Sequence, residues 1–411
     1  MTMDKNRVVV TGLGVVSPVG NNCTTFWDNL VEGRSGIRAA DFVDERTASR
    51  IAGMAEDVVP DTMSPKELKR QSRFILFALE AANQAWAQSG LDMNHEDPYR
   101  CGVYLGTGIG GIQDIEENAL KLHESGPRRV SPLLMIKGLS NMAAGTVAMQ
   151  FGLQGPNACV VTACATGAQS IIAAANAIRL GQADVMLCGG TEATVIPYGL
   201  AAFSSLRALS TRNDAPEQAS RPFDRDRDGF VLSEGAGVLV LESEAHARSR
   251  GAEILATLAG TAETSDAYHP VAPRPDGSGA AASMRLALQQ AGIAPDQVDY
   301  CNAHGTSTRL NDVAESLAFL DVFGTDTPFV SSTKSIMGHL LGAAGVVESI
   351  ACILTIRYNT IHPNINYDYP DPECPINVVG NTAREVLVDI ALSNSLGFGG
   401  HNATLVFQTY K

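Results

Sequence analysis

The stretch NACVVTACATGAQSIIAAANAIRL, Asn157–Leu180, decides how the chain is read. Its first part, Asn157–Thr162, is apolar and β-branched, which suits a buried strand. Its last part, Gly167–Leu180, carries Ala and Ile at helical spacing. Only small residues separate the two, Ala163-Cys164-Ala165-Thr166. The reading is strand, tight turn, helix, with Cys164 at the helix N-terminus. Further out, Arg7–Gly12, Gly102–Gly106 and Val185–Cys188 read as strands and Phe74–Ser89 as a helix. Gly229–Glu242 reads as two strands joined by Ser233–Gly237. The later part repeats the theme. Ile254–Gly260, Tyr300–Ala303 and Phe329–Val330 are strands, and Gly279–Gly292 is helical. His339–Tyr358 is a long helix, apolar nearly all round, and Ile390–Ser393 and Thr404–Phe407 flank a Gly-rich turn. This alternation predicts an α/β protein whose mixed sheets are buried on both faces.

The order strand, helix after Cys164, strand, hairpin over Gly229–Glu242 echoes strand, helix after His339, hairpin over Ile390–Phe407. Two apolar helices, one per half, suggest helices buried between two sheets. The expected division is a half over residues 1–255 and a half over residues 256–411. The 411 residues, 45% hydrophobic, supply a large core. A net charge of −14 without a basic run argues against nucleic acid. Met1–Arg7 is short and polar, without a signal-peptide pattern. No apolar run reaches the ~20 residues of a membrane helix. A soluble, cytoplasmic protein with no membrane partner is the expectation. The eight cysteines show no CxxC spacing, so no metal is expected.

Four segments carry chemistry. Cys164, at a helix start among small residues, meets free N–H groups and the helix dipole, which would lower its pKa from ~8.5 toward ~4–7. The alternative is a buried structural thiol. His304, in Asn302-Ala303-His304-Gly305-Thr306-Ser307-Thr308, stands at a strand end among small and hydroxylated residues, as a functional or a satisfied loop histidine. Lys334-Ser335-Ile336-Met337-Gly338-His339 sets His339 at the opening of the apolar helix. A buried Lys334 needs a carboxylate, and Glu315 and Glu348 are candidates. Gly397-Phe398-Gly399-Gly400-His401-Asn402 is either a hairpin turn or a loop that aims an N–H at a ligand.

Taken together and in this order, the segments resemble the condensing enzymes, and among them the elongating beta-ketoacyl-acyl-carrier-protein synthases, type II. The likeness runs from Val8-Val9-Val10-Thr11-Gly12-Leu13-Gly14 to Asn402 and includes Ser210-Thr211-Arg212-Asn213-Asp214 and Ser220-Arg221-Pro222-Phe223-Asp224. It implies the thiolase fold, with duplicated halves in a five-layered α-β-α-β-α body. It implies a decarboxylative Claisen condensation in which Cys164 holds the acyl group and malonyl-carrier supplies two carbons. His304 and His339 would promote decarboxylation, and N–H groups of Cys164 and Phe398 would form an oxyanion hole. Lys334, paired with Glu315 and with Glu348 as a second candidate, would set the histidines' electrostatics. Thr306, Thr308, Gly399 and Asn402 would contact substrate. Phe398 would gate the acyl chain, and Ile109 would border its pocket, with room for medium or long chains. No cofactor is implied. The implied partners are an acyl carrier protein, docked on Lys66, Lys69, Arg70, Arg128, Arg129 and Arg207, and a second copy in a homodimer. The chain departs from the family at Pro270-Val271 and at Arg309, where a hydroxylated residue and Pro are usual. A ketosynthase of a type II polyketide or aryl-polyene pathway is the enzyme alternative. A non-catalytic chain-length-factor-like subunit is the non-enzyme alternative, and it would lack the nucleophile. A biosynthetic thiolase would need a second cysteine near the C-terminal turn, and Ile390–Asn402 has none.

Overall fold

The computed structural model describes residues 7–60 and 63–411. The polar lead-in read at Met1–Asn6 lies outside the described residues. Ten strands form the main sheet: β1 (Val8–Val16), β2 (Cys101–Gly106), β3 (Asn157–Ala158), β4 (Val185–Glu192), β5 (Gly235–Ser243), β6 (Ala256–Ser265), β7 (Tyr300–Asn302), β8 (Phe329–Ser331), β9 (Ile390–Gly397) and β10 (His401–Gln408). Six helices pack on it: α1 (Arg73–Ser89), α2 (Met142–Phe151), α3 (Thr166–Arg179), α4 (Ser278–Ala291), α5 (Arg309–Phe323) and α6 (Ala344–Tyr358).

The strand order is β3-β2-β4-β5-β1-β6-β10-β9-β7-β8. Read outward from the middle, β1-β5-β4-β2-β3 and β6-β10-β9-β7-β8 are the same unit twice. In each unit the first two pairings are antiparallel and the last two parallel. Val8–Val10 pair with Ala256–Leu258, so the two units form one hydrogen-bonded sheet that folds over on itself.

Side-chain alternation explains the layers. On β5, Val238 and Val240 join a core with Phe74, Phe77 and Val147, while Leu239 and Leu241 face the opposite way. On β10, Leu405 and Phe407 share that inner core, and Val406 points out toward Met284 and Phe319. Both faces of β5 and β10 are therefore apolar, as expected where helices cover both sides. The result is five layers: α1 and α2, a sheet, α3 and α6, a sheet, α4 and α5. Leu341–Tyr358 is long and apolar enough to cross a membrane by composition, but the two sheets enclose it and 89% of it is buried.

Three local readings need correction. Gly229–Glu242 is not a hairpin. Only Gly235–Ser243 joins the sheet, and the preceding residues leave it to bridge Leu209 and His339. The counterpart of the β9–β10 hairpin is instead the pair β4–β5. The strand at Asn157–Thr162 is not buried and stops at Ala158: it is the exposed edge of the sheet, and the chain there must bend to deliver the turn at Cys164. The helix read from His339 starts at Ala344, because Leu341 has φ +47° and cannot continue into a right-handed helix.

The inner helices meet through glycine. A Cβ on Gly167 would lie 2.8 Å from Val346 N, and one on Gly345 would lie 2.8 Å from Ala168 N. Alanine gains about 1 kcal/mol in helix propensity over glycine. Contact with backbone cannot be relieved by a rotamer, and overpacking costs about 1–3 kcal/mol. The Gly345→Ala protein is therefore expected to unfold at lower urea than the parent, and an unchanged midpoint would mean that the helices have room to spare.

Candidate active site

Cys164 occupies a short turn, Ala163–Ala165, that leads into α3. Ala163 sits at φ +50°, a strained position for a residue with a Cβ, and the kink turns Cys164 toward a cavity. The thiol is nearly enclosed, with 6% of the residue exposed. The β9–β10 loop closes over it. A Cβ on Gly397 would lie 2.7 Å from Thr162 O, so only glycine lets the loop lie this close. From there the Phe398 N–H donates to the Cys164 sulfur.

The histidines come from the other half. His304 follows β7 and His339 precedes a second turn, Leu341–Ala343, at the foot of α6. Both are 2% exposed, and their rings meet edge to face with centroids 5.3 Å apart. The Leu341 N–H donates to His339 Nδ1 at 3.3 Å. The Lys334 ammonium lies 3.4 Å from His304 Nδ1 and donates to the His304 carbonyl at 2.6 Å. With Nδ1 accepting in both rings, the proton of each neutral imidazole is assigned to Nε2. His339 Nε2 is buried without a partner among the described residues. Burial first, and then the Lys334 charge, hold both imidazoles well below the usual histidine range.

The expected pairing of Lys334 with Glu315 is not what the fold builds. Lys334 pairs directly with Glu348 of α6. Glu315 of α5 instead accepts the N–H groups of His304 and Gly305, both at 2.8 Å. Burial raises its carboxyl to about 7 against those bonds. The reason is topological: α6 runs beside Lys334, whereas α5 caps the strand end that carries His304. The lowered Cys164 pKa also needs correction. Burial pushes the thiol up to about 12, and the Lys334 charge and Phe398 N–H pull only partly the other way. In a closed pocket, desolvation of a thiolate outweighs the turn's dipole.

A cavity of about 710 Å³ gathers most of the expected residues on one wall. Cys164, His304, His339, Phe398, Thr306, Thr308, Ile109 and Asn402 line it. Lys334, Glu315 and Gly399 do not. The first two stand behind His304, and the Gly399 N–H turns away to Pro270 O at 2.8 Å. Val271 and Arg309, the departures, also line the cavity. Lys66, Lys69, Arg70, Arg128, Arg129 and Arg207 are all exposed and form no ion pair among the described residues. Only Arg207 of these reaches the cavity. Sequence reading missed Phe230, whose ring lies edge-on to His339 with centroids 5.4 Å apart. Its apolar neighbours disguised it as strand core, and no local signal marks it.

The sequence profile of the Beta-ketoacyl synthase N-terminal domain matches residues 5–247, and that of the C-terminal domain matches residues 255–368. The chain is 46% identical to 3-oxoacyl-[acyl-carrier-protein] synthase 2 of Synechocystis sp., over 100% of this chain and 99% of that one. It is 46% identical to the protein of the same name from Coxiella burnetii, over 99% of each. Among solved structures, a beta-ketoacyl synthase from Burkholderia phymatum superposes with a TM-score of 0.92 at 34% identity, covering 98% of this chain and 100% of that one. A chain from a complex of a type II PKS acyl-carrier protein with its ketosynthase, bound to the hexaketide, also gives 0.92, at 36% identity, covering 98% and 99%.

The high thiol pKa has a measurable consequence. Alkylation of Cys164 by iodoacetamide, followed by mass spectrometry, should keep accelerating with pH beyond the ordinary cysteine midpoint of ~8.5. A rate that levels off at neutral pH would mean that a thiolate is already present.

Proposed function

The chain belongs to the beta-ketoacyl synthase family, and on that premise we propose that it is an elongating 3-oxoacyl-[acyl-carrier-protein] synthase with Cys164 as nucleophile. The observation that carries this reading is the shared cavity wall, where the Cys164 thiol under the Phe398 N–H faces the same space as two histidines. Relatives at 46% identity bear the name 3-oxoacyl-[acyl-carrier-protein] synthase 2, whereas the polyketide ketosynthase complex stands at 36%, which favours elongation over the polyketide alternative.

In the first half-reaction Cys164 attacks an acyl-carrier thioester. The sulfur–acyl bond forms on Cys164 as the carrier's sulfur leaves, and the thiol proton ends on that sulfur. The exchange is neutral overall, so a high thiol pKa is compatible with it. The N–H groups of Phe398 and Cys164 would hold the developing oxyanion. Malonyl-carrier then enters and loses CO2. The enolate oxygen forms between two Nε2–H donors, which neutral imidazoles supply without prior protonation. The enolate carbon attacks the acyl-Cys164 carbonyl, and the Cys164 sulfur leaves and regains a proton. Lys334 and Glu315 act through His304: one fixes its tautomer, the other its backbone. Thr306 and Thr308, with hydroxyls 2.9 Å apart, would line the path of the carrier's arm.

Two partners follow. Unpaired basic residues on an acidic chain would steer an acidic carrier protein to the cavity mouth. A second copy would pair at the β3 edge. Asn157–Ala158 are exposed there, and Met135, Ile136, Leu139, Met149 and Val161 add exposed apolar surface. Ser140 and Ala144 accept bonds from Cys159 and Asn157, which ties these segments together.

Incubation with malonyl-carrier and saturated acyl-carrier primers should yield 3-oxoacyl-carrier two carbons longer, detected by intact mass. Cys164→Ala should lower condensation by about 10³-fold or more. Product only from polyketide-type primers would overturn the fatty-acyl reading. Charge reversal at Lys69 and Arg70 should raise the KM for carrier substrates about five-fold and leave alkylation of Cys164 unchanged. An unaltered KM would remove those residues from the docking surface.

A further inference from the structure

Glu192 is a buried carboxylate that this chemistry does not use. It ends β4 and is fully enclosed. Its Oε2 accepts the Gly108 N–H at 2.8 Å and the Gly342 N–H at 3.1 Å. Its Oε1 accepts from Thr107 Oγ1 at 3.2 Å and from the Ile109 N–H at 3.3 Å. Thr107 Oγ1 in turn accepts the Gly110 N–H at 3.1 Å. One loop and the turn before α6 thus fill both oxygens. The adjoining glycines leave room for this. A Cβ at Gly108 would lie 2.6 Å from Oε2, and one at Gly342 2.9 Å. No cation pairs with Glu192 among the described residues, so its burial costs stability that an apolar side chain would not. What it holds is the cavity wall, because Gly108, Ile109 and Leu341 all line the cavity that contains Cys164.

We propose that Glu192 is a positioning residue for acyl-chain selection: its carboxylate ties the Thr107–Gly110 loop to Gly342 and so fixes Ile109 as a wall of the acyl pocket. This rests on the reading of Ile109 as bordering the acyl chain in the condensation above. The carboxylate suits the task because it offers two acceptor oxygens to a set of donors. Glutamine has the same shape but one oxygen. In either orientation its NH2 faces N–H donors that the carboxylate accepted, and the loop loses part of its anchor.

The test is a primer-length profile. kcat and KM are measured with malonyl-carrier and saturated acyl-carrier primers, from butyryl to beyond the longest that the parent accepts. For Glu192→Gln, kcat/KM for the longest primers relative to butyryl should rise about five-fold or more, the scale at which pocket walls discriminate chain length, with the change in KM. Thr107→Val, which removes a single leg of the anchor, should move the ratio the same way by less, and it decides the question if Glu192→Gln does not fold. Ile109→Phe should move the ratio the opposite way by narrowing the pocket. If Ile109→Phe shifts the ratio while Glu192→Gln and Thr107→Val keep the parent value, or lose activity equally on every primer, Glu192 is only structural and the proposal fails. If Ile109→Phe also leaves the ratio unchanged, the acyl-pocket reading itself fails.

Discussion

The close approach of α3 and α6 at Gly167 and Gly345 is the contact on which the site depends. Each glycine lets the backbone of the opposite helix come within van der Waals reach of its own. At the foot of each helix is a kinked turn with one residue at positive φ, Ala163 in the first half and Leu341 in the second. Bringing the helices together therefore brings the turns together. One turn presents Cys164 and the other fixes His339 through the Leu341 N–H. A duplicated unit folded over on itself thus places a thiol from one half against imidazoles from the other.

Burial then sets the chemistry. The cavity lies at the foot of the enclosed helices α3 and α6, and the ionisable groups around it are held toward their neutral forms. The Cys164 thiol is raised, both imidazoles are lowered, and Glu315 and Glu192 are raised to about 7. The Glu348 carboxyl is raised as well, by burial against the pull of the Lys334 charge it pairs with. A site of this kind works by placing N–H donors where oxygen charge develops, with little reorganisation. In the reaction proposed for it, proton traffic would be confined to an exchange between two sulfurs and one proton regained at the end.

Much of this was legible in the chain. The turn and helix at Cys164, the helix at Phe74–Ser89, the strand end at His304 and the glycines after Leu396 each carry a local signature. The failures have one cause. Gly229–Leu232 carries an apolar pattern fit for a strand, but it leaves the sheet to place Phe230 beside His339. Leu340–Ala343 carries a helical pattern, but a positive φ at Leu341 breaks it. In both places the site overrides local preference, and periodicity cannot register that.

The sequence by itself determined the duplicated α/β body and where Cys164, His304 and His339 stand on its turns and strand ends, because turns and period-two or helical patterns act between neighbours in the chain. Only the tertiary structure decided that Lys334 meets Glu348 and not Glu315, that Glu192 grips the loop of Ile109, and that burial raises the Cys164 thiol instead of the turn lowering it. Those outcomes depend on which segments are close in space and on how completely water is excluded. Residues far apart in the chain fix both.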